Sequence, residues 1–256
     1  MRVELDTTIA QQYKSASQRA RVVTEAWVNE SVFCPNCGCP DLVKYGNNQP
    51  VADFYCNDCH EDYELKSKGG PIGNRISDGA YQAKITRLTQ STNPNLFLLR
   101  YDWALACVVD FLVIPKYYFV PSIIEQRKPL SPAARRAGWE GSNILVSTIP
   151  QSGRIFYVHD KLVKPKEAVL AEFRKTIFLR EQKKLDAKGW LLDTMRCIEK
   201  LGKGRFTIED AYGFEDELHV LHPENKHIKA KIRQQLQVLR DERYLDFLGG
   251  GHYKVR

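Results

Sequence analysis

The sequence has no apolar run of membrane-spanning length. Its longest, Ala104 to Pro115, is interrupted by Asp110, whereas a spanning helix needs about 20 apolar residues. That run reads as a buried strand, and no membrane partner is expected. The chain does not open with a basic stretch followed by an apolar one; it begins MRVELDTTIA. A secretory signal is therefore not expected, although a matured chain would look the same. There is no internal repeat and no low-complexity tract, so repeat arrays and disordered tails are set aside. A disulfide framework is also missing: the seven cysteines are odd in number, which points to a reducing, cytoplasmic compartment.

The 256 residues are 43% hydrophobic and 27% charged, enough to bury a core in one large domain or two smaller ones. Thirty-eight Lys and Arg against 31 Asp and Glu leave a net charge of +7. A basic surface favours a polyanionic partner, nucleic acid first among them.

Residues 10–28 have the three-and-four spacing of an amphipathic helix, with Tyr13, Ala16, Ala20, Val23 and Trp27 on one face. Strands are expected at Val51–Tyr55, Asp62–Lys68, Asn95–Tyr101, Cys107–Ile114 and Arg154–Val158, and a helix at Asp78–Gln90. This pattern implies a mixed α/β domain over residues 1–181. A charged linker is expected at Phe178–Lys188. Beyond it come helices at Trp190–Leu201 and Lys226–Arg243, with Thr207 as the N-cap of an acidic helix between them. A final hairpin turns on Gly249, Gly250 and Gly251, where positive φ is needed. This is the outline of an α+β winged helix over residues 182–256.

Cys34-Pro-Asn-Cys37 and Cys56-Asn-Asp-Cys59 form two CxxC pairs, separated by the 18 residues from 38 to 55. A CxxC turn presents two thiolates to one metal, and two such turns complete the closed tetrahedral shell of a structural Zn²⁺. Redox dithiols do not normally come in matched pairs at this spacing. Cys39 competes with Cys37 as a ligand, and the spacing favours Cys37. Cys107 and Cys197 sit in apolar patterns and read as small core residues.

Asp53 precedes the second CxxC, and Glu64-Leu65-Lys66 follows it. If Cys56 and Cys59 bracket a hairpin turn, Asp53 falls opposite Glu64, and alternation places Lys66 on the same face. Two carboxylates bind a hard cation such as Mg²⁺, and a lysine beside them stabilises charge or orients water, which is the set that phosphodiester hydrolysis needs. The Leu65 carbonyl can add to the metal shell, and Glu25 is a further candidate acid. A salt-bridged surface hairpin would show the same residues.

The segments VADFYCNDCHEDYELKSK (51–68), CPNC (34–37), IIEQRKPLSPAARRAGWEGSNI (123–144) and HIKAKIRQQLQVLRDE (227–242) resemble, in colinear order, the DpnI family of methyl-directed type II restriction endonucleases in the PD-(D/E)xK superfamily. The resemblance implies a Mg²⁺-dependent enzyme that cuts double-stranded DNA at GATC carrying N6-methyladenine and leaves blunt ends. It implies a nuclease core with a Cys₄ zinc site, then a winged helix, with both domains reading the methylated site. By residue it implies Asp53, Glu64 and Lys66 as catalytic and Cys34, Cys37, Cys56 and Cys59 as zinc ligands. The proline of the motif is Pro50, displaced from Asp53 by Val51 and Ala52.

Basic segments mark the expected DNA contacts. In the first domain Arg127, Lys128, Arg135 and Arg136 flank Trp139, whose ring suits an adenine methyl group, or else anchors the loop. In the second, Lys226, His227, Lys229, Lys231, Arg233, Gln234 and Gln235 mix cations for phosphates with amides for base edges. Lys254 and Arg256 would lie on the wing. A monomer is expected. The rival readings are a zinc-ribbon and winged-helix regulator without catalysis, and a PD-(D/E)xK nuclease of another specificity.

Overall fold

A computed structural model describes residues 1–46, 52–88, 90 and 93–256. It divides into two compact units, Met1–Ser147 with Ser152–Arg174, and Thr148–Gln151 with Lys175–Arg256.

The first unit opens with α1 (Ala16–Ser31), then β1 (Val43–Lys44), β2 (Phe54–Tyr55), β3 (Asp62–Lys68), β4 (Arg75–Ala80) and α2 (Tyr81–Leu88). There follow β5 (Asn95–Asp102), β6 (Cys107–Ile114), β7 (Ile124–Gln126), β8 (Gly141–Leu145), β9 (Ile155–His159), β10 (Leu162–Val163) and α3 (Lys166–Lys175). A seven-stranded sheet runs β1-β2-β3-β5-β6-β9-β10. The β3–β5 pair is parallel and its neighbours are antiparallel, giving a mixed sheet flanked by helices. β4, β8 and β7 make a second, small antiparallel sheet.

The central strands are apolar on both faces, as a covered sheet demands. Residues 95–99 of β5 and most of β6 are buried. An aromatic cluster forms their centre. Phe97 lies 5.0 Å from Phe111 between ring centroids, Phe111 lies 5.1 Å from both Trp27 and Tyr157, and Tyr63 stacks on Phe97 at 4.6 Å. Fully burying one such side chain stabilises by about 1.5–3 kcal/mol.

Two boundaries differ from expectation. Asp78 is not helical: it pairs with Ser142 in β4, a bulge follows at Gly79, and the helix starts only at Tyr81. The expected strand at Val51–Tyr55 is confined to Phe54–Tyr55 among the described residues; Val51 and Pro50 lie outside them.

The second unit contains α4 (Leu185–Lys200), β11 (Arg205–Thr207), α5 (Ile208–Tyr212), α6 (Glu215–Leu221), α7 (Ile228–Asp241), β12 (Leu245–Gly249) and β13 (His252–Val255). The strands form an antiparallel sheet, β11-β13-β12. Thr207 caps α5 in a capping box with Asp210, whose carboxylate accepts the Thr207 N–H at 2.7 Å. Gly249, Gly250 and Gly251 all have positive φ in the hairpin turn, as the triple glycine implies. The expected linker is not a plain one. Ile177–Arg180 form a helical turn, and Phe178 and Leu179 are buried, because those two apolar side chains gain more from burial than a solvated strand would return. α7 begins at Ile228, so Lys226 and His227 precede it.

Candidate active site and metal centre

The two CxxC turns face each other. The Cys34 and Cys59 sulfurs are 3.5 Å apart, as are those of Cys37 and Cys56. All four lie within 4.8 Å of one another. A disulfide would need about 2.05 Å; a ZnS₄ tetrahedron with bonds of about 2.3 Å has edges of about 3.8 Å. The donor set therefore fits zinc. Burial pushes the Cys34 and Cys56 thiols up from their ordinary range, so a cation is needed to hold them as thiolates. Each turn closes through a backbone bond, Gly38 N–H to the Cys34 carbonyl and His60 N–H to the Cys56 carbonyl, both 2.9 Å or less. Gly38 and His60 both take positive φ there. Cys39 stays outside the cluster, its sulfur 3.5 Å from the Asp41 carbonyl. Cys107 and Cys197 are buried and free.

The second turn joins β2 to β3. The register Phe54↔Tyr63 and Tyr55↔Asp62 sets Asp53 opposite Glu64. The Asp53 N–H donates to the Tyr63 carbonyl at 2.9 Å, and Asp53 Oδ2 accepts the Leu65 N–H at 2.7 Å. In a strand the N–H and C=O of one residue point to the same side. The Leu65 carbonyl is thus directed at the edge where Asp53 stands, past the end of β2. Glu64 and Lys66 share the face turned away from Tyr63 and Leu65, the face of their cross-strand neighbour Asp53, with Lys66 Nζ 2.6 Å from Glu64 Oε1.

Two residues that sequence reasoning missed complete this cluster. Lys66 Nζ lies 3.0 Å from Asp78 Oδ1, and Lys84 Nζ lies 2.9 Å from Asp78 Oδ2 and 3.5 Å from Glu64 Oε2. Asp78 comes from β4 and Lys84 from α2; the Lys84 side chain is 7% exposed and that of Asp78 4%. Burial disfavours the Lys66 ammonium, but Glu64 and Asp78 outweigh it and raise Lys66 above its ordinary value. Burial likewise opposes ionisation of Asp78, and Lys84 and Lys66 overcome it and lower Asp78. Asp53 is raised, first by burial; the Leu65 N–H opposes the shift, and Glu64 and Glu25 add to it. Glu25, buried on α1, is held by Arg21 at 2.5 Å and Lys44 at 2.7 Å. No local pattern announces Asp78 or Lys84; only their burial together marks them.

A second group of metal-ligand types, Asp110, His159 and Asp160, is partly neutralised by Arg100. Arg100 Nε lies 2.6 Å from Asp110 Oδ2, and its terminal nitrogen 3.3 Å from Asp160 Oδ1.

The basic segment of the first unit is the β7–β8 connection. Arg127, Lys128, Arg135 and Arg136 are exposed on it. Trp139 is half-buried, and a Cβ on Gly141 would lie 2.9 Å from its ring carbons. The Arg136 guanidinium sits 4.6 Å from the ring centroid, so the indole packs within its own loop.

On the second unit Lys226, His227, Lys229, Arg233 and Gln234 are exposed, and Lys231 is half-buried. Lys229 pairs with Glu215 at 3.2 Å, and Arg233 bonds the Tyr212 hydroxyl. Lys231 Nζ donates to Gln234 Oε1 at 2.8 Å. Gln235 corrects the expected set. It is buried on α7 beside Ile232, Leu236 and Leu239, because it falls three and seven residues after Ile232 and Ile228, on the inward stripe. On the wing, Lys254 is exposed and Arg256 is tied to Asp246 at 2.5 Å.

Among the described residues no helix is long and apolar enough to cross a membrane. Two family models match the chain. One, described as the Dam-replacing family, matches residues 1–182, and the other, described as the Dam-replacing HTH domain, matches residues 186–255.

Proposed function

Because the chain belongs to the DpnI, or Dam-replacing, family, a nuclease family, we propose that it cleaves double-stranded DNA at GATC sites whose adenine carries an N6-methyl group. The hydrolysis is Mg²⁺-dependent, and residues 1–181 carry it while residues 182–256 act as a second reader of the site. One observation carries the reading: Asp53, Leu65, Glu64 and Lys66 meet on a short ribbon whose turn supplies two of the four clustered thiols.

The donors fit a hard cation. Asp53 is positioned by the Leu65 N–H, the Leu65 carbonyl shares its edge, and Glu64 stands opposite. These three are the proposed magnesium ligands. A magnesium ion held there supplies Lewis acidity toward phosphoryl oxygens and toward water. Lys66, kept protonated by Glu64 and Asp78, serves as a fixed positive charge beside the scissile phosphate rather than as a base. Asp78 and Lys84 hold Glu64 and Lys66 in place. The four cysteines hold a structural zinc that fixes the turn.

Arg127, Lys128, Arg135 and Arg136 position phosphates for the first domain, and Trp139 on the same loop contacts the adenine methyl. Lys226, His227, Lys229, Lys231, Arg233 and Gln234 bind DNA for the second. A buried methyl is worth about 1 kcal/mol, roughly fivefold to tenfold in binding. Reading by two domains therefore discriminates better than reading by one. The test is digestion of matched plasmids, with and without adenine methylation, in Mg²⁺ and in EDTA. Cleavage confined to methylated DNA in Mg²⁺ supports the proposal; cleavage of both plasmids or of neither overturns it.

A further inference from the structure

Tyr63 stands between the thiol cluster and the acidic edge and touches both. It opens the Tyr63-Glu64-Leu65-Lys66 run of β3, with its ring fully buried and stacked on Phe97, planes 8° apart. Its carbonyl accepts the Asp53 N–H at 2.9 Å. Its hydroxyl lies 3.1 Å from Cys34 Sγ. A buried phenol needs a hydrogen-bond partner, and among the described residues this hydroxyl has only that sulfur.

We propose that Tyr63 is a positioning residue that donates its phenolic hydrogen to the Cys34 thiolate of the zinc site and so ties the first CxxC turn to the strand carrying Glu64 and Lys66. The proposal rests on the zinc reading of the four cysteines. A thiolate is a stronger acceptor than a thiol because its charge assists the bond. Cys34 is fully buried, so water cannot replace the donor. Groups that bond to metal ligands from outside the coordination shell typically hold metal about 10–100-fold more tightly. The turn at Cys56 and Cys59 already reaches β3 through the chain. The turn at Cys34 and Cys37 lies far from it in sequence, and the Tyr63 hydroxyl gives it a direct bond to that strand.

Tyr63→Phe removes one hydroxyl and keeps the ring stacked on Phe97. Tyr157→Phe is the control. Its hydroxyl lies in the same aromatic cluster and donates to the Phe33 carbonyl at 3.1 Å, not to a sulfur. Zinc release from full-length protein to a chromophoric chelator is the first readout. Tyr63→Phe should release zinc about 10–100-fold faster than wild type, and Tyr157→Phe at the wild-type rate. The second readout is the thiolate-to-metal charge-transfer band of the Co²⁺-substituted protein. Losing a hydrogen bond to sulfur raises its lone-pair energy, so the band should move to lower energy in Tyr63→Phe alone. If zinc-loaded wild type and Tyr63→Phe share one release rate and one band, the proposal is overturned while the zinc reading stands. Equal changes in both variants overturn it too, since they mark general loosening. A wild type that purifies without zinc and takes up no cobalt overturns the zinc reading, and the proposal with it.

Discussion

Asp53 Oδ2 accepts the amide hydrogen of Leu65 at 2.7 Å, so one carboxylate oxygen is spent on fixing the ribbon and the other is left at its edge. Burial raises the Asp53 carboxyl above its ordinary 3.8; the Leu65 N–H opposes the shift, and Glu64 and Glu25 reinforce it. The folded protein therefore holds this proton more tightly than the unfolded chain does. Ionised Asp53 costs stability above its raised value, and below about pH 3.8 the cost is absent. Asp53→Asn should accordingly raise the melting temperature of the protein stripped of magnesium at pH 7 and lose that advantage in strong acid. Added Mg²⁺ should stabilise wild type and not the variant. Melting curves with and without Mg²⁺ check both outcomes; a variant less stable than wild type at pH 7 would contradict them.

The buried Asp78–Lys84 pair predicts a cost in the opposite sense. Asp78 is lowered because Lys84 and Lys66 overcome its burial. Its contribution is present above pH 3.8 and fades as pH falls toward the folded value. Asp78→Asn leaves Lys84 buried with only the longer carboxylate contact to Glu64 and should destabilise by about 3 kcal/mol at pH 7. Pairing it with Lys84→Met should recover much of the loss. Denaturant unfolding of the single and double variants measures the coupling, and simple additivity would show that the pair does not act as one.

Gly141 is the support of the Trp139 ring. A methyl group at Gly141 would lie 2.9 Å from the indole carbons, so Gly141→Ala should displace the ring and reproduce the effect of Trp139→Ala. If Trp139 contacts the adenine methyl, both changes weaken binding of methylated duplex more than binding of unmethylated duplex. Equal losses on the two substrates would leave Trp139 as a loop anchor.

On the second unit, Lys226 and Gln235 should behave differently. Exposed Lys226 is expected to meet a phosphate, so Lys226→Ala should reduce the slope of log K against log salt by about 0.9. Buried Gln235 belongs to the α7 core, and Gln235→Ala should lower stability while leaving that slope unchanged. Fluorescence anisotropy across a salt series separates the two; an unchanged slope for Lys226→Ala removes it from the interface.

The strands at Asp62–Lys68 and Cys107–Ile114 were legible because composition alone separates them: one is bounded by turn formers, the other is a continuous apolar run. β4 was not, since RISDGA offers one apolar residue in the buried position, Ile76, and its pairing partner is β8, more than sixty residues on. The two CxxC turns were legible because ligand spacing is local. Asp78 and Lys84 were not, because what marks them is mutual burial across β4 and α2, which no spacing encodes. Gln235 carries two signals, amide chemistry and a spacing in register with Ile228 and Ile232; the spacing decides, since helix geometry buries the side chain.

The most direct test separates chemistry from recognition in one variant. Lys66→Ala should bind methylated GATC duplex with a wild-type Kd in Ca²⁺ and cut it in Mg²⁺ at least about 10²-fold more slowly. Cleavage at the wild-type rate by that variant would contradict the account, because the lysine would then lie outside the chemistry.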